Sequence, residues 1–272
     1  MHGTGNDYIY VNGFVETIEN PESFAIKYSN RHKGIGSDGL VLILPSETCD
    51  FRMRMFNADG SESEMCGNAS RCIGKYVYDK GLTTKTEVTL ETLAGLKVLK
   101  MFLGADGKVE TVTVDMGEPI LEAKEIPTVF DGEKLINKPV EFSKEINYNI
   151  TGVSMGNPHA VIFTTGIDKL NLPQIGPVIE NAPVFPRRTN TEFIEIVKPD
   201  FIKMRVWERG SGETLACGTG ACASVVAGVL NGFTERKTKV ELLGGNLLIE
   251  WSEADNHVYL TGEAVTVFEG EI

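Results

Sequence analysis

Apolar positions in this chain fall mostly in short runs bounded by Gly, Asp-Gly or Gly-Gly, a pattern of strands and hairpins. Residues 87–93, 96–103 and 108–115 read as strands joined at Gly95 and at Asp106-Gly107. Residues 239–243 and 246–252 read as a second set around Gly244-Gly245, and the pattern runs on to Phe268. Further strands follow two Gly-Asn pairs, at 8–13 and 160–165. Helices are few. Asn20-Pro21 places a capping residue ahead of a proline at the first helical position, where its missing N–H costs nothing. A second helix is expected over 68–80 with Gly81 as its stop, and a third over 219–230 with Gly232. The third is small or apolar on nearly every face, as a buried central helix should be.

These elements repeat at one offset, 151 residues. Gly5-Asn6 falls on Gly156-Asn157, Asn20 on Asn171, Met53-Arg54 on Met204-Arg205, and Phe56 on Trp207. Glu62 falls on Glu213, and Cys66-Gly67 on Cys217-Gly218. So many matches at one offset imply two copies of a single supersecondary plan. The expected fold is α+β, with two pseudo-symmetric halves and the active site in the cleft between them. Each half is expected to be a strongly bent, mostly antiparallel β-sheet around a central helix. The first half spans 1–115 and carries Cys66; the second spans 116–262 and carries Cys217. Met116-Gly117-Glu118-Pro119 reads as a linker, and 120–150 is weakly periodic, with room for one variable strand and a loop.

Composition narrows the function. The chain has 272 residues and a formal net charge of −12 without a basic stripe, which argues against nucleic acid. Its longest aliphatic run, Leu40 to Leu44, is far short of the ~20 residues a membrane span needs. There is no basic n-region followed by an apolar stretch, and the five cysteines show no CxxC spacing. Both point to a reducing cytoplasm. The four His are scattered, so no metal site is expected, and neither a P-loop nor GxGxxG is present.

Chemistry gathers at the repeated cysteines. Cys66 and Cys217 each precede a glycine and open a helix. A helix N-terminus lowers a thiol below its usual ~8.5 and can also hold a carboxylate. Two such thiols, facing each other across two halves, suit removal of a proton from one face of a carbon and delivery to the other. Cys72 and Cys222 lie inside the helices, and the position equivalent to Cys72 is Ala223, so packing is the expected use of both. His159 falls on Tyr8 and Glu208 on Asn57. They are asymmetric additions that either pack or tune the thiols. Asn6 and Asn157 either form turns or bind a polar ligand. Arg209 either meets a ligand carboxylate or makes a surface ion pair.

The motifs His2 to Tyr8, Phe56 to Glu62, Cys66-Gly-Asn68, Met155 to His159, Arg188-Thr-Asn190, Trp207 to Gly210 and Ala216 to Gly220 resemble the diaminopimelate epimerase family. The resemblance runs from residue 2 to about 222. It implies a cofactor-independent isomerase, without pyridoxal phosphate, that interconverts LL- and meso-diaminopimelate for lysine and cell-wall synthesis. It implies Cys66 and Cys217 as the two bases, with His159 and Glu208 modulating them. Asn6, Asn57, Gly67, Asn68, Asn157, Asn190, Glu208, Arg209, Gly218 and Thr219 are then expected to hold the substrate. Gly39 stands where some members carry a substrate-contacting Gln. The family is homodimeric, and Phe268 stands where some members have a Tyr important for dimerisation. The last stretch, 263–272, is expected to return to the first half as a strand. Other readings of the residues are a proline racemase-like enzyme, a thiol redox sensor, and a metabolite-binding relative without the bases.

Overall fold

Strand Phe51–Asn57 shows how pattern becomes structure: Phe51, Met53 and Met55 are buried while Arg52 and Arg54 between them are not. The structure is a computed structural model that describes residues 1–130 and 132–272. The chain divides into two units, Met1–Asp115 with Thr261–Ile272, and Met116–Leu260.

In the first unit the strands lie in the order Val109–Asp115, Gly95–Leu103, Glu87–Thr92, Phe51–Asn57, Gly39–Leu44, Ile9–Asn12. Neighbours are antiparallel except at two places. Ile9–Asn12 runs parallel to Gly39–Leu44, and Phe51–Asn57 parallel to Glu87–Thr92. Helix Gly67–Asp79 packs against Gly95–Leu103 and Val109–Asp115. A Cβ on Gly74 would lie 3.2 Å from Val112 and 3.5 Å from Met101, so a small residue lets the helix sit close on the sheet. Helix Pro21–Ser29 starts at Asn20, whose side chain accepts from the Ser23 amide at 2.9 Å.

The second unit repeats this order with Lys138–Glu141 and Asn147–Ser154 added at one edge. Pro158–Phe163, Asn190–Lys198, Phe201–Glu208, Lys237–Leu242 and Gly245–Trp251 then follow in sequence. Two of its pairs are again parallel, Pro158–Phe163 with Asn190–Lys198 and Phe201–Glu208 with Lys237–Leu242. They match the parallel pairs of the first unit. Helix Gly218–Leu230 touches five of these strands, so the sheet curls around it. Ala221, Val225 and Val226 on this helix are fully buried, in line with its apolar character on every face. The stretch 120–150 holds the edge strand and the start of its partner, two strands where the sequence suggests one.

Both observed units are α+β sheets bent around one helix. The chain passes from the second unit into the first within strand Val258–Glu263. Beyond it no regular secondary structure is formed, so 264–272 belongs to the first unit, as expected of 263–272, but as a tail rather than the expected strand. Val265 still pairs its backbone with His2 at 2.9 Å in both directions.

Candidate active site

Cys66 is the N-cap of helix Gly67–Asp79, and its half-buried Sγ donates to Asn6 Oδ1 at 3.4 Å. The same oxygen accepts from Asn68 Nδ2 at 3.2 Å. Asn6 Nδ2 donates to Asp38 Oδ2 at 2.7 Å, and a carboxylate only accepts, so the Asn6 amide has one orientation. Asp38 also accepts from the Asp7 amide and from Arg31. Asn6 is brought to this place by a turn with Thr4 at φ 52° and Gly5 at φ 82°. A β-branched residue in that region is strained. Thr4 is held there by donating to Asn68 Oδ1 at 3.3 Å and accepting from Arg71 Nη2 at 3.3 Å. Arg71, one turn into the helix, is fully buried and also donates to the carbonyls of Gly67 and Glu263.

Cys217 is the N-cap of helix Gly218–Leu230, but it is buried, and its sulfur accepts from the Gly220 amide at 3.4 Å. Thr219 Oγ1 lies 3.5 Å from it. Burial pushes the Cys217 thiol well above its ordinary value, and the carboxylates of Glu208 and Glu192 push the same way. The helix N-terminus is therefore outweighed, and the acidified thiol expected from position alone is not found at Cys217. Burial also raises the Glu208 carboxyl, against the hydrogen bonds it accepts from Thr214 and Cys217.

His159 is fully buried. Its Nδ1 lies 2.7 Å from Glu192 Oε1 and its Nε2 lies 3.0 Å from Asn157 Oδ1. Asn157 Nδ2 donates to Thr219 Oγ1 at 3.3 Å. His159 thus reaches Cys217 through Asn157 and Thr219.

Other expected site residues are drawn in less directly. Asn57 Nδ2 donates to Ser61 Oγ at 3.0 Å and closes a surface turn. Asn190 has both amide atoms engaged by backbone, donating to Pro158 O at 3.0 Å and accepting from the Arg209 amide at 2.9 Å. It fixes the Glu208-Arg209 corner. The exposed Arg209 guanidinium donates to Arg187 O at 3.1 Å. Gly39 admits no side chain, because a Cβ there would fall 2.0 Å from Phe56 O. Gly67, Asn68 and Gly218 are buried in the first turns of the two helices. Phe268 is 64% exposed.

Five contributors went unseen in the sequence: Arg31, Asp38, Arg71, Glu192 and Thr214. Glu192 carried a signal, since at the repeat offset it falls on Val41, inside the all-apolar run 40–44. Among the described residues no group of three or more His, Cys, Asp or Glu side chains is placed to hold a metal ion, and no helix is long and apolar enough to cross a membrane.

Comparison with known proteins agrees with this architecture. The chain is 61% identical over 272 residues to the diaminopimelate epimerase of Acetivibrio thermocellus, covering all of this chain and 96% of that one. It is 58% identical to that of Methanococcus maripaludis strain S2, covering all of this chain and 98% of that one. Among solved structures, a probable proline racemase from Agrobacterium radiobacter superposes with a TM-score of 0.71 at 16% identity, over all of this chain and 91% of that one. A phenazine biosynthesis protein of the PhzF family from Bacillus anthracis gives 0.69 at 19%, over all of this chain and 95% of that one. At those identities the likeness is one of fold. The family model of diaminopimelate epimerase matches residues 1–122 and 151–267, and the chain belongs to that family.

Proposed function

We propose that the chain interconverts LL- and meso-2,6-diaminopimelate, with Cys66 and Cys217 moving the α-proton. The observation that carries this reading is the pair of cysteines capping the equivalent helices of the two units, in a chain of this family. One sulfur, as thiolate, takes the α-proton. The electron pair of the broken C–H bond stays with the carbon and spreads into the α-carboxylate. The other sulfur, as thiol, delivers its proton to the opposite face and becomes the thiolate. The stereoisomer bound decides which does which.

The α-hydrogen is weakly acidic, so the site must stabilise charge as it reaches the carboxylate. The N–H groups at Gly67-Asn68 and Gly218-Thr219 suit that role, being unpaired donors at the positive ends of two helices. Asn6 and Asn157 orient the reacting end. Asn57, Asn190, Glu208 and Arg209 hold the distal amino-acid end, with Asn190 acting through the corner it fixes. Glu208 accepts the Cys217 proton's hydrogen bond and eases its transfer, and His159 acts on the same thiol through Asn157 and Thr219. We further propose a cytoplasmic homodimer with the exposed ring of Phe268 at its interface, working without pyridoxal phosphate.

The test is α-hydrogen exchange of LL-diaminopimelate in deuterated water. The newly formed meso isomer should carry deuterium at the inverted carbon from the first turnover. Absence of exchange refutes the activity, and extensive return of protium refutes the two-base route.

A further inference from the structure

Helix Leu172–Glu180 ends on a buried carboxylate that the steps above do not use. Glu180 Oε2 accepts from the Trp207 indole Nε1 at 2.8 Å. Its Oε1 accepts from the Gly210 amide at 3.0 Å and from Arg188 Nη1 at 2.9 Å. One turn earlier on the same helix face, a Cβ on Gly176 would fall 2.2 Å from Trp207 Cδ2, so glycine lets the indole lie this close. Trp207 and Gly210 bracket Glu208 and Arg209. Both ends of that corner are thus tied to one helix, and Asn190 takes the Arg209 amide between them.

The first unit closes the equivalent corner without a carboxylate. At the offset of 151, Glu180 falls on Ser29 and Arg188 on Ser37, whose hydroxyls lie 3.1 Å apart. Trp207 falls on Phe56, a ring without a donor. Both corners still make the same turn bond, from the Gly60 amide to Asn57 O at 2.9 Å and from the Ser211 amide to Glu208 O at 3.1 Å. The turn itself therefore does not call for Glu180. The carboxylate appears in the copy whose corner carries Glu208-Arg209, where the other carries Asn57-Ala58.

We propose that Glu180 is a positioning residue of the second unit's site: by holding the Trp207 indole and the Gly210 amide it sets where the Glu208 carboxylate and the Arg209 guanidinium point, and so keeps Glu208 on Cys217. Glu180 acts through the corner and not on the sulfur. The inference rests on the epimerase reading only for its kinetic consequence.

Two variants and two readouts test it. Glu180→Leu removes all three hydrogen bonds. Glu180→Gln keeps the length but has one acceptor oxygen for donors on two sides. The first readout needs no activity. Glu208 and Glu192 face Cys217 from two strands and both raise its thiol, while His159 faces Glu208 and favours its charged form. Moving Glu208 away removes one of the two carboxylates. The pH midpoint of Cys217 alkylation should therefore fall in Glu180→Leu and fall less in Glu180→Gln, with that of Cys66 unchanged. An unmoved Cys217 midpoint overturns the proposal whether or not the protein is an epimerase.

The second readout is a double-mutant cycle on diaminopimelate. Glu180→Leu should lower kcat about tenfold in the wild-type background and less than about twofold in Glu208→Gln, where there is no carboxylate left to misplace. Equal factors in the two backgrounds would mark a structural role independent of Glu208 and overturn the proposal. If the Leu variant fails to fold, Glu180→Gln goes through both readouts, and a wild-type midpoint or equal factors decide against it alike. Wild-type protein inactive on diaminopimelate would refute the activity and leave the alkylation readout to decide.

Discussion

Asn6 and Asn157 occupy the same place in two copies of one plan, and their amides are turned opposite ways. Asp38 takes the Asn6 nitrogen, so the oxygen faces Cys66. His159 takes the Asn157 oxygen, so the nitrogen faces Thr219 beside Cys217. The first cysteine is half-buried and next to an acceptor; the second is buried, near a donor, and raised in pKa by burial and by two carboxylates. A symmetric frame thus carries two chemically different thiols. Burial of Cys217 is the largest part of the difference, and residues that do not repeat add to it: Asp38 through Asn6 in one half, and Glu208 and Glu192 in the other.

The comparison breaks most sharply at the sulfurs. Cys66→Ala and Cys217→Ala should each lower kcat about a thousandfold or more, the scale of losing an acid-base group outright. Cys72→Ala and Cys222→Ala, both buried in helix interiors, should stay active. Turnover by isomer-resolved chromatography checks this, and one capping mutant retaining more than a few per cent of turnover would undo the equivalence of the pair.

Next comes Glu208→Gln, expected to cost some tenfold to a hundredfold in kcat. It also changes the thiol's titration. A nearby carboxylate raises the Cys217 thiol, so its removal lowers it. The pH midpoint of Cys217 alkylation should move down while that of Cys66 stays. Mass-resolved alkylation across pH 7 to 11 reads both sulfurs at once.

Asp38→Leu should be milder. It unhooks Asn6 and should raise KM severalfold, with little change in the Cys217 alkylation profile. An unchanged KM would show that Asn6 keeps its orientation without Asp38. The smallest effect separates two helix starts. Asn20 caps its helix through its side chain and Asn171, its equivalent, makes no such bond. Asn20→Ala should cost about 1 kcal/mol in denaturant unfolding, and Asn171→Ala only a few tenths.

The repeated cysteines, the Gly-Asn pairs and the central helices were legible because identity at a constant offset survives where it serves the same geometry. The helix starts were right to within a residue or so, since caps and glycines are local signals. The two parallel strand pairs in each unit were not read, because pairing direction leaves no mark in a short run. Only one of the two edge strands in 138–154 was expected, for a related reason: Lys138–Glu141 buries little, so its alternation is faint. The tail after residue 263 went the other way, apolar enough to suggest a strand yet making only one bridge. Thiol acidity at Cys217 was misjudged because sequence reveals a helix end but not what is packed on it. Glu192 was hidden in plain view, a charge where the other copy has Val41.

Order of synthesis gives the tail a weight that its few contacts conceal. The helix that carries Cys66 is completed by residues made more than 140 positions after the first unit's last strand. The Glu263 carbonyl receives Arg71, Val265 closes on His2, and Glu269 pairs with Lys80 at 2.6 Å. While the ribosome is still translating 116–260, the buried Arg71 lacks that carbonyl and the strained turn at Thr4 lacks its backstop. The first unit thus draws the partners of Arg71, His2 and Lys80 from residues far along the chain from its own last strand.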